Sequence, residues 1–475
     1  MNKYYYTIGL EVHAELRTNA KMFCGCKNDP DEDSPNVNIC PVCMAHPGAI
    51  PVPNKKAIEE VIRVGLAVDG KIADFTEFDR KSYFYPDIPK GYQISQYEHP
   101  IVKGGKLAGM DITRIHLEED TGTNKHDRGD FSLVDFNRAG VPLMELVTEP
   151  HTFETMEEAS LAGGSFGREY QLLLQYLGAS LANMEKGEFR LEANISLFPE
   201  KNKLGTKVEV KNLNSFKSAE RAIIYELDRM QELHESGRAS EIVQETRGWD
   251  DGKQSTFSQR AKDNVADYRY FPDPDIPKLK LTEIFDIEKI RSELPELPSS
   301  KRSRYSKEYG IKEGDIEAYI NDHQLGVWFE EISKILITPD KIKIASNYIT
   351  SDFLGLKKVD SSIVMPSASN FAELINLVNE GKLTSRVAKD ILAIIVKQDG
   401  SPLKIATEQN LIQKNDEGAL KAIASNIISS NEKVVADYKS GKEASLQFLV
   451  GQMMKETKGS ANPAIASKIL KELLA

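Results

Sequence analysis

The sequence predicts an α+β domain followed by two all-α domains. Three observations carry this. The chain has 475 residues, more than one ordinary core organises. Residues 1–150 alternate β-branched and aromatic stretches with Gly and Pro, and 187–215 reads as paired strands, so strands with helices on one side are expected rather than alternating βαβ units. Beyond the proline-bearing segment SELPELPSS (292–300) the apolar periodicity turns almost wholly helical. With a second seam at QDGSP (398–402), the expected domains are 1–292, 293–400 and 401–475.

In chain order, the first clear helix starts after Pro53-Asn54, carries Ile58, Val61, Ile62 and Leu66 on one face and ends before Gly70. FRLEANISLF (189–198) and GTKVEVKNL (205–213) pair across a polar turn containing Asn202 and Gly205. A helix through about 218–234 places Ala219, Ile223, Leu227 and Met230 on one stripe. The helical half spans 312–336, 369–379, 384–396, 418–428, 431–438, 443–456 and 463–474. No internal repeat or low-complexity tract occurs.

With 61 Lys+Arg against 72 Asp+Glu, the formal charge is −11. Phosphate affinity needs basic surface, so this balance argues against an indiscriminate DNA binder but not against a local RNA contact. Residues 411–475 carry nine lysines and seven acids, a net of +2. This reversal marks a place for a polyanion, or ordinary lysines on solvated helix faces. No run of about 18 apolar residues exists, which excludes a transmembrane helix and predicts no membrane partner. MNKYYYTIGLEVHAEL is interrupted by Glu11, His13 and Glu15, unlike a secretory segment, so a cytoplasmic protein is expected.

All four cysteines fall early: Cys24 and Cys26, then Cys40 and Cys43. Two close pairs across a loop suit a tetrahedral four-thiolate zinc site, with reduced buried thiols or a redox pair as alternatives. Four cysteine ligands leave no position for water, so such a zinc is structural.

The P-loop, the Rossmann fingerprint and the GxSxG elbow are all missing. Polar chemistry gathers in five patches instead. In Gly9-Leu10-Glu11-Val12-His13, strand alternation puts Glu11 and His13 on one face, either as divalent-cation ligands or as a solvated face. FDRKSYFYPDIPKGYQISQYEHP (78–100) sets Arg80 and Lys81 beside Tyr83, Phe84 and Tyr85, fitting a nucleotide, an RNA 3′ end or a loop packed by its own tyrosines. IHLEEDTGTNKHD (115–127) carries Glu118, Glu119 and Asp120, a magnesium site or an acidic turn. In DFNRAGVPLMELVTEP (135–150), Glu145 sits among Leu143, Met144, Leu146 and Val147, and a carboxylate so placed needs a partner. RLEAN (190–194) and EVKNLNSFKSAERA (209–222) bring Asn212, Asn214 and Ser215 to a strand–helix junction, ready to cap the helix or hold a ligand.

IGLEVHAEL, FDRKSYFYPDIPKGYQISQY, HLEEDTG, SLVDFNRAGVPLMELVTEP, KNLNSFKSAERAI, DYRYFPDPDIP and FLVGQMMKETKGSANP together resemble the GatB family, the B subunits of aspartyl/glutamyl-tRNA(Asn/Gln) amidotransferases. The resemblance covers nearly the whole chain. It implies a cradle-like catalytic domain and a tRNA-contacting helical tail. It also implies a reaction in which ATP phosphorylates the side-chain carboxylate of misacylated Glu-tRNA(Gln) or Asp-tRNA(Asn) and ammonia displaces the phosphate. The ammonia would come from an amidase A subunit, with a small C subunit completing a heterotrimer. Carried over by motif, Glu11, His13, Glu119 and Glu145 are the expected Mg2+ residues. Lys81 is expected to stabilise phosphate charge, with Arg80 as its alternate, and catalysis rests on Lys81, Glu119 and Glu145. Tyr83, Tyr85, Glu192, Asn194 and Asn212 are expected to shape the substrate and nucleotide pocket. Cys24, Cys26, Cys40 and Cys43 resemble the zinc-bearing branch.

The chain departs from the family's usual RCDAN at Leu191 and Glu192, from RSKEEAHDYRYF over 259–266, and from LGHPG at Met44-Ala45. An idle tRNA-binding scaffold and a free-standing glutamine-hydrolysing amidase are the competing readings. The joint presence of Glu11, His13, Lys81, Glu119 and Glu145 speaks against the first, and the lack of a Ser/Lys glycine-rich amidase pattern against the second.

Overall fold

The computed structural model describes residues 4–125, 129–201, 203–261, 268–413, 417–457 and 461–474. Asn202 of the expected turn, His126 and Asp127 of the acidic patch, 262–266 of the 259–266 departure and 458–460 of the tail motif lie outside them.

Two compact units emerge, Met1–Leu297 and Pro298–Ala475. The first is built on an eleven-stranded sheet whose main path runs Ser255–Ala261, Glu245–Asp250, Val208–Leu213, Phe189–Phe198, Tyr5–Glu15, Pro142–Thr148, Met110–Glu119, Val102–Lys103 and Lys71–Ile72. Neighbours on this path are antiparallel except Val208–Leu213 with Glu245–Asp250, which pair in parallel and are joined through the helix Phe216–Glu235. The long first strand is central, paired on either side with Phe189–Phe198 and Pro142–Thr148. An N-terminal segment therefore organises the whole sheet.

Alternation makes one face of this sheet apolar. Ile8, Leu10, Val12, Leu146, Leu117, Leu191, Ala193 and Ile195 are buried in one core with Val61, Phe166, Tyr170, Ile223 and Leu227 of the covering helices. Asn54 caps the helix Lys55–Ala67 by accepting from the Lys56 and Ala57 amides, and Ser215 caps Phe216–Glu235 by accepting from the Ser218 amide. The capping alternative for Ser215 is thus realised.

A 22-residue helix, Met156–Leu177, is absent from the sequence expectation because Gly163, Gly164 and Gly167 read as breakers. The structure shows why they are tolerated. A Cβ on Gly163 would lie 2.7 Å from Ile223 Cδ1, and one on Gly167 2.9 Å from the Phe216 ring. The glycines allow this helix to seat closely against Phe216–Glu235. Thr155 caps its start, and Gly178, in the left-handed region at φ 69°, ends it.

In the second unit every regular element is helical among the described residues. The expected helix 312–336 is two, Glu313–Asn321 and His323–Leu336, because the Asp322 side chain accepts from the Leu325 amide and starts a new helix. Pro339–Asn347, Tyr348–Phe353 and Leu354–Val359 add helical turns that the periodicity does not reveal. Leu420, Ala424, Leu449, Met453, Ala466 and Leu470 form an apolar cluster of their own near the C-terminal end.

Candidate active site

The second face of the sheet is polar, and pairing register decides who meets whom. His13 lies opposite Glu145 on one side and Arg190 on the other; Glu145 in turn faces His116. Glu118, two residues beyond His116, shares its face. The result is a compact cluster. His13 Nε2 is 3.6 Å from Glu145 Oε2 and 3.8 Å from Glu118 Oε1, while His116 Nε2 is 3.1 Å from Glu145 Oε2. One donor atom from each of His13, Glu118 and Glu145 lies within 4.8 Å of the others.

Burial alone would raise the Glu145 pKa, but the charges of His116 and His13 outweigh it and hold the carboxyl well below the usual carboxylate range. Burial alone would lower that of His13, but Glu145, Glu192 and Glu118 push it up to about 9. An imidazole and two carboxylates converging this closely suit a hard divalent cation. The buried acid that needed a partner has two.

Beside it lies a second trio, Glu11, Glu192 and Glu209, again with donor atoms within 4.8 Å. Asn194 Nδ2 donates to Glu11 Oε1 at 2.8 Å, and Lys211 Nζ is 2.8 Å from Glu192 and 3.5 Å from Glu209. Burial, then the neighbouring Glu145 and Glu192, push the Glu11 pKa up, while the Asn194 hydrogen bond opposes them. Glu11 therefore adjoins the His13 cluster without completing it.

Lys81 belongs to a three-stranded sheet ordered Phe271–Pro272, Asp79–Ser82, Tyr92–Ser95. Its ammonium sits 4.8 Å from the centre of the Tyr268 ring. Burial works against its charge, yet Glu118, Tyr270 and Glu145 raise its pKa and keep it cationic. Tyr83 and Tyr85 stack with centroids 5.6 Å apart, Tyr97 and Tyr270 at 4.7 Å, and Phe84 is 85% exposed. Contacts of Tyr268 with Tyr83 and Tyr270 join the tyrosines into an aromatic rim beside Lys81.

Three expected residues are not brought to the cluster. Glu119 follows Glu118 and so faces the opposite way. Its carboxylate binds Lys90 Nζ at 2.6 Å and accepts from the Ile94 amide at 3.0 Å. Arg80 alternates away from Lys81 and is held by Asp273 at 2.8 Å and Asp275 at 2.9 Å, stacked on Tyr92. Both Arg80 and Glu119 line a separate cavity of about 300 Å³ with Lys90, His46 and Cys43. Asn212, at φ 63°, donates from Nδ2 to the Trp249 carbonyl at 3.1 Å. Conversely, the sequence reading assigns no ligand or pocket role to His116, Glu209 or Lys211, and names Glu118 only within the acidic run, the family motif passing the Mg2+ role to Glu119 instead. The available signal is period-two spacing, which sets His116 on the face of Glu118 and Glu209 on that of Lys211.

The cysteines do converge. Tetrahedral zinc with Zn–S of about 2.3 Å requires sulfurs about 3.8 Å apart. Cys43 Sγ is 3.6 Å from Cys40 Sγ and 3.9 Å from Cys26 Sγ, and all four sulfurs lie within 4.8 Å of one another. The Cys40 amide donates to Cys43 Sγ at 3.0 Å, a hydrogen bond that favours the thiolate. The residues fit the ion.

Comparison with known proteins gives the same outline. A family model described as the GatB/GatE catalytic domain matches residues 6–285, and one described as the GatB domain matches 328–474. The chain is 40% identical to the B subunit of the aspartyl/glutamyl-tRNA(Asn/Gln) amidotransferase of Brevibacillus brevis, covering 100% of this chain and 99% of the relative. It is 41% identical to the protein of the same name from Thermotoga maritima, covering 99% of each. That from Gloeothece citriformis is 39% identical, over 99% of this chain and 98% of the relative. Among the described residues no helix is long and apolar enough to cross a membrane. The chain belongs to the GatB family.

Proposed function

We propose that this chain is the GatB component of a glutamine-dependent tRNA amidotransferase, which converts Glu-tRNA(Gln), Asp-tRNA(Asn) or both to the amide. The observation that carries the reading is the polar face of the sheet, where His13, Glu118 and Glu145 converge beside the cationic Lys81.

A carboxylate resists ammonia because oxide would have to leave. Phosphorylation by ATP creates the acyl phosphate, ADP departs, and ammonia then forms the C–N bond as phosphate leaves. Magnesium, held by His13, Glu118 and Glu145, would supply charge neutralisation for the transferring phosphoryl group. Lys81 places a second, fixed positive charge at the same face without reorganising during the reaction. His116 orients the Glu145 carboxylate from beneath, and Ser95 Oγ, 3.3 Å from Glu118 Oε2, does the same for Glu118. Glu11, Glu192 and Asn194 border this pocket, and the tyrosine rim offers flat surfaces for a base. Zinc on Cys24, Cys26, Cys40 and Cys43 would pin the loop that walls the Glu119–Lys90 cavity.

The reading includes an amidase A subunit that supplies ammonia, a small C subunit, and cytoplasmic location. Residues 401–475 serve as the tRNA-contacting tail and the expected 293–400 segment as the connector, its first residues, 293–297, belonging to the sheet unit. The test is reconstitution with A and C subunits, scoring ATP- and glutamine-dependent amidation of each misacylated tRNA. Amidation of at least one is expected; failure with both, in a complex that hydrolyses glutamine, would refute it. An idle scaffold would bind tRNA in that assay without tRNA-dependent ATP hydrolysis, and it gives no reason for a charged lysine beside two buried acids.

A further inference from the structure

Lys21 is fully buried, at 0% exposure, which is rare for a lysine without a carboxylate partner. Its Nζ donates to the Asn38 carbonyl at 2.7 Å and the Phe136 carbonyl at 3.1 Å. Both of these partners are backbone carbonyls, and neither carries a charge. Two carbonyl dipoles solvate an ammonium only in part, so a buried anion must offset the rest.

The anion at hand is sulfur. Lys21 is woven into the cysteine loop: its amide donates to the Cys26 carbonyl at 3.0 Å, and it lines a pocket together with Cys24 and Cys40. Its stem and Cys43 pack against the same glycine. A Cβ on Gly140 would lie 3.6 Å from Lys21 Cδ and 4.0 Å from Cys43 Cβ, and Gly140 adopts φ 85°. Lys21 and Cys43 thus flank one backbone position that carries no side chain to separate them. Four thiolates around a dication leave a net charge of minus two, of which the Cys40 amide offsets a fraction by donating to Cys43.

We propose that Lys21 is the buried counter-charge of the four-cysteine centre and sets how tightly that centre holds a divalent metal. The two depend on each other: the thiolates make a buried ammonium tolerable, and the ammonium makes the dianionic metal–thiolate group tolerable. This rests on the zinc reading of the cysteines and assigns the outer partner that reading leaves out.

The test uses the purified full chain, zinc-loaded and titrated with a chromophoric chelator. Wild type is expected to hold one zinc. K21M, which keeps length without charge, and K21Q, which keeps a donor for the two carbonyls, should bind zinc about 10- to 100-fold more weakly. K21R should recover most of the affinity. In cobalt-substituted protein the sulfur-to-cobalt charge-transfer band should move to lower energy in K21Q, because the sulfur electrons lose a stabilising cation. Folding is followed by circular dichroism, and K21Q remains decisive if K21M does not fold. Wild-type affinity and an unmoved band in K21Q would overturn the proposal while leaving the zinc site standing. A wild-type chain that binds no zinc would instead overturn the zinc reading beneath it.

Discussion

Metal loading at the His13 cluster should be strongly pH-dependent, and the structure fixes the sign. His13 is raised from 6.5 to about 9 in the metal-free protein because Glu145, Glu192 and Glu118 overcome its burial. A metal ligand must be neutral imidazole, so the ion competes with this proton. At pH 7 only about one molecule in a hundred has His13 neutral, and that fraction rises about tenfold per pH unit until the pKa is reached. Manganese affinity, measured by electron paramagnetic resonance as a stand-in for magnesium, should therefore climb about 100-fold between pH 7 and 9 and then level off. Stability runs the other way. A histidine with a raised folded pKa stabilises fully below its unfolded value and loses that contribution as pH rises through the folded value. The metal-free chain should accordingly lose about 3 kcal/mol of stability between pH 6.5 and 9 by urea unfolding. Glu145→Gln should abolish most of this pH dependence, since its charge is the main opponent of burial. Manganese affinity independent of pH over this window, with flat metal-free stability, would refute the ion-pair account of His13.

Other expectations follow from particular contacts. Glu118→Gln should reduce tRNA-dependent ATP hydrolysis about 100-fold or more and weaken manganese binding, whereas Glu119→Gln should leave manganese binding unchanged, because only the first faces His13. Equal losses of manganese in both variants would sink the two-sided assignment. Lys81→Met should lower kcat about 100- to 1000-fold with tRNA affinity preserved, checked by single-turnover phosphorylation and a separate binding assay. Gly163→Val should destabilise the sheet unit by about 1–3 kcal/mol in denaturant unfolding, since its Cβ would lie 2.7 Å from Ile223 Cδ1 and must push the two helices apart.

The elements legible in the sequence are those whose signal is local. Asn54 before the stripe Ile58, Val61, Ile62 and Leu66 marks the start of the helix Lys55–Ala67, which ends short of the expected limit at Gly70, and FRLEANISLF is the strand Phe189–Phe198. Met156–Leu177 stays hidden because its glycines act between helices, and no single-segment pattern carries an inter-helix distance. The site shows the same division. Glu145 is suspect on its own strand, but its partner His116 comes from Met110–Glu119, through a register that the sequence does not state. Arg80 looks interchangeable with Lys81 as a cation; alternation sends one to Asp273 and the other to Glu118 and Glu145.

The pair Glu118 and Glu119 shows what the strand architecture makes possible. Adjacent residues on a strand point to opposite faces, so one short acidic run serves two compartments without a loop between them. Glu118 joins His13 and Glu145 on the polar face, while Glu119 binds Lys90 at 2.6 Å in the cavity walled by the cysteine loop. Gln93 donates to the Glu119 carbonyl at 2.8 Å and Ser95 to the Glu118 carboxylate at 3.3 Å, so one strand, Tyr92–Ser95, steadies both. A shift of that strand by one residue would exchange the faces of Lys81's neighbours and of both supports. The cysteine loop meets the Glu119–Lys90 cavity directly through Cys43, and that cavity is coupled to the His13 cluster through backbone register. Zinc removal should then disturb the His13 cluster only if it first shifts Tyr92–Ser95.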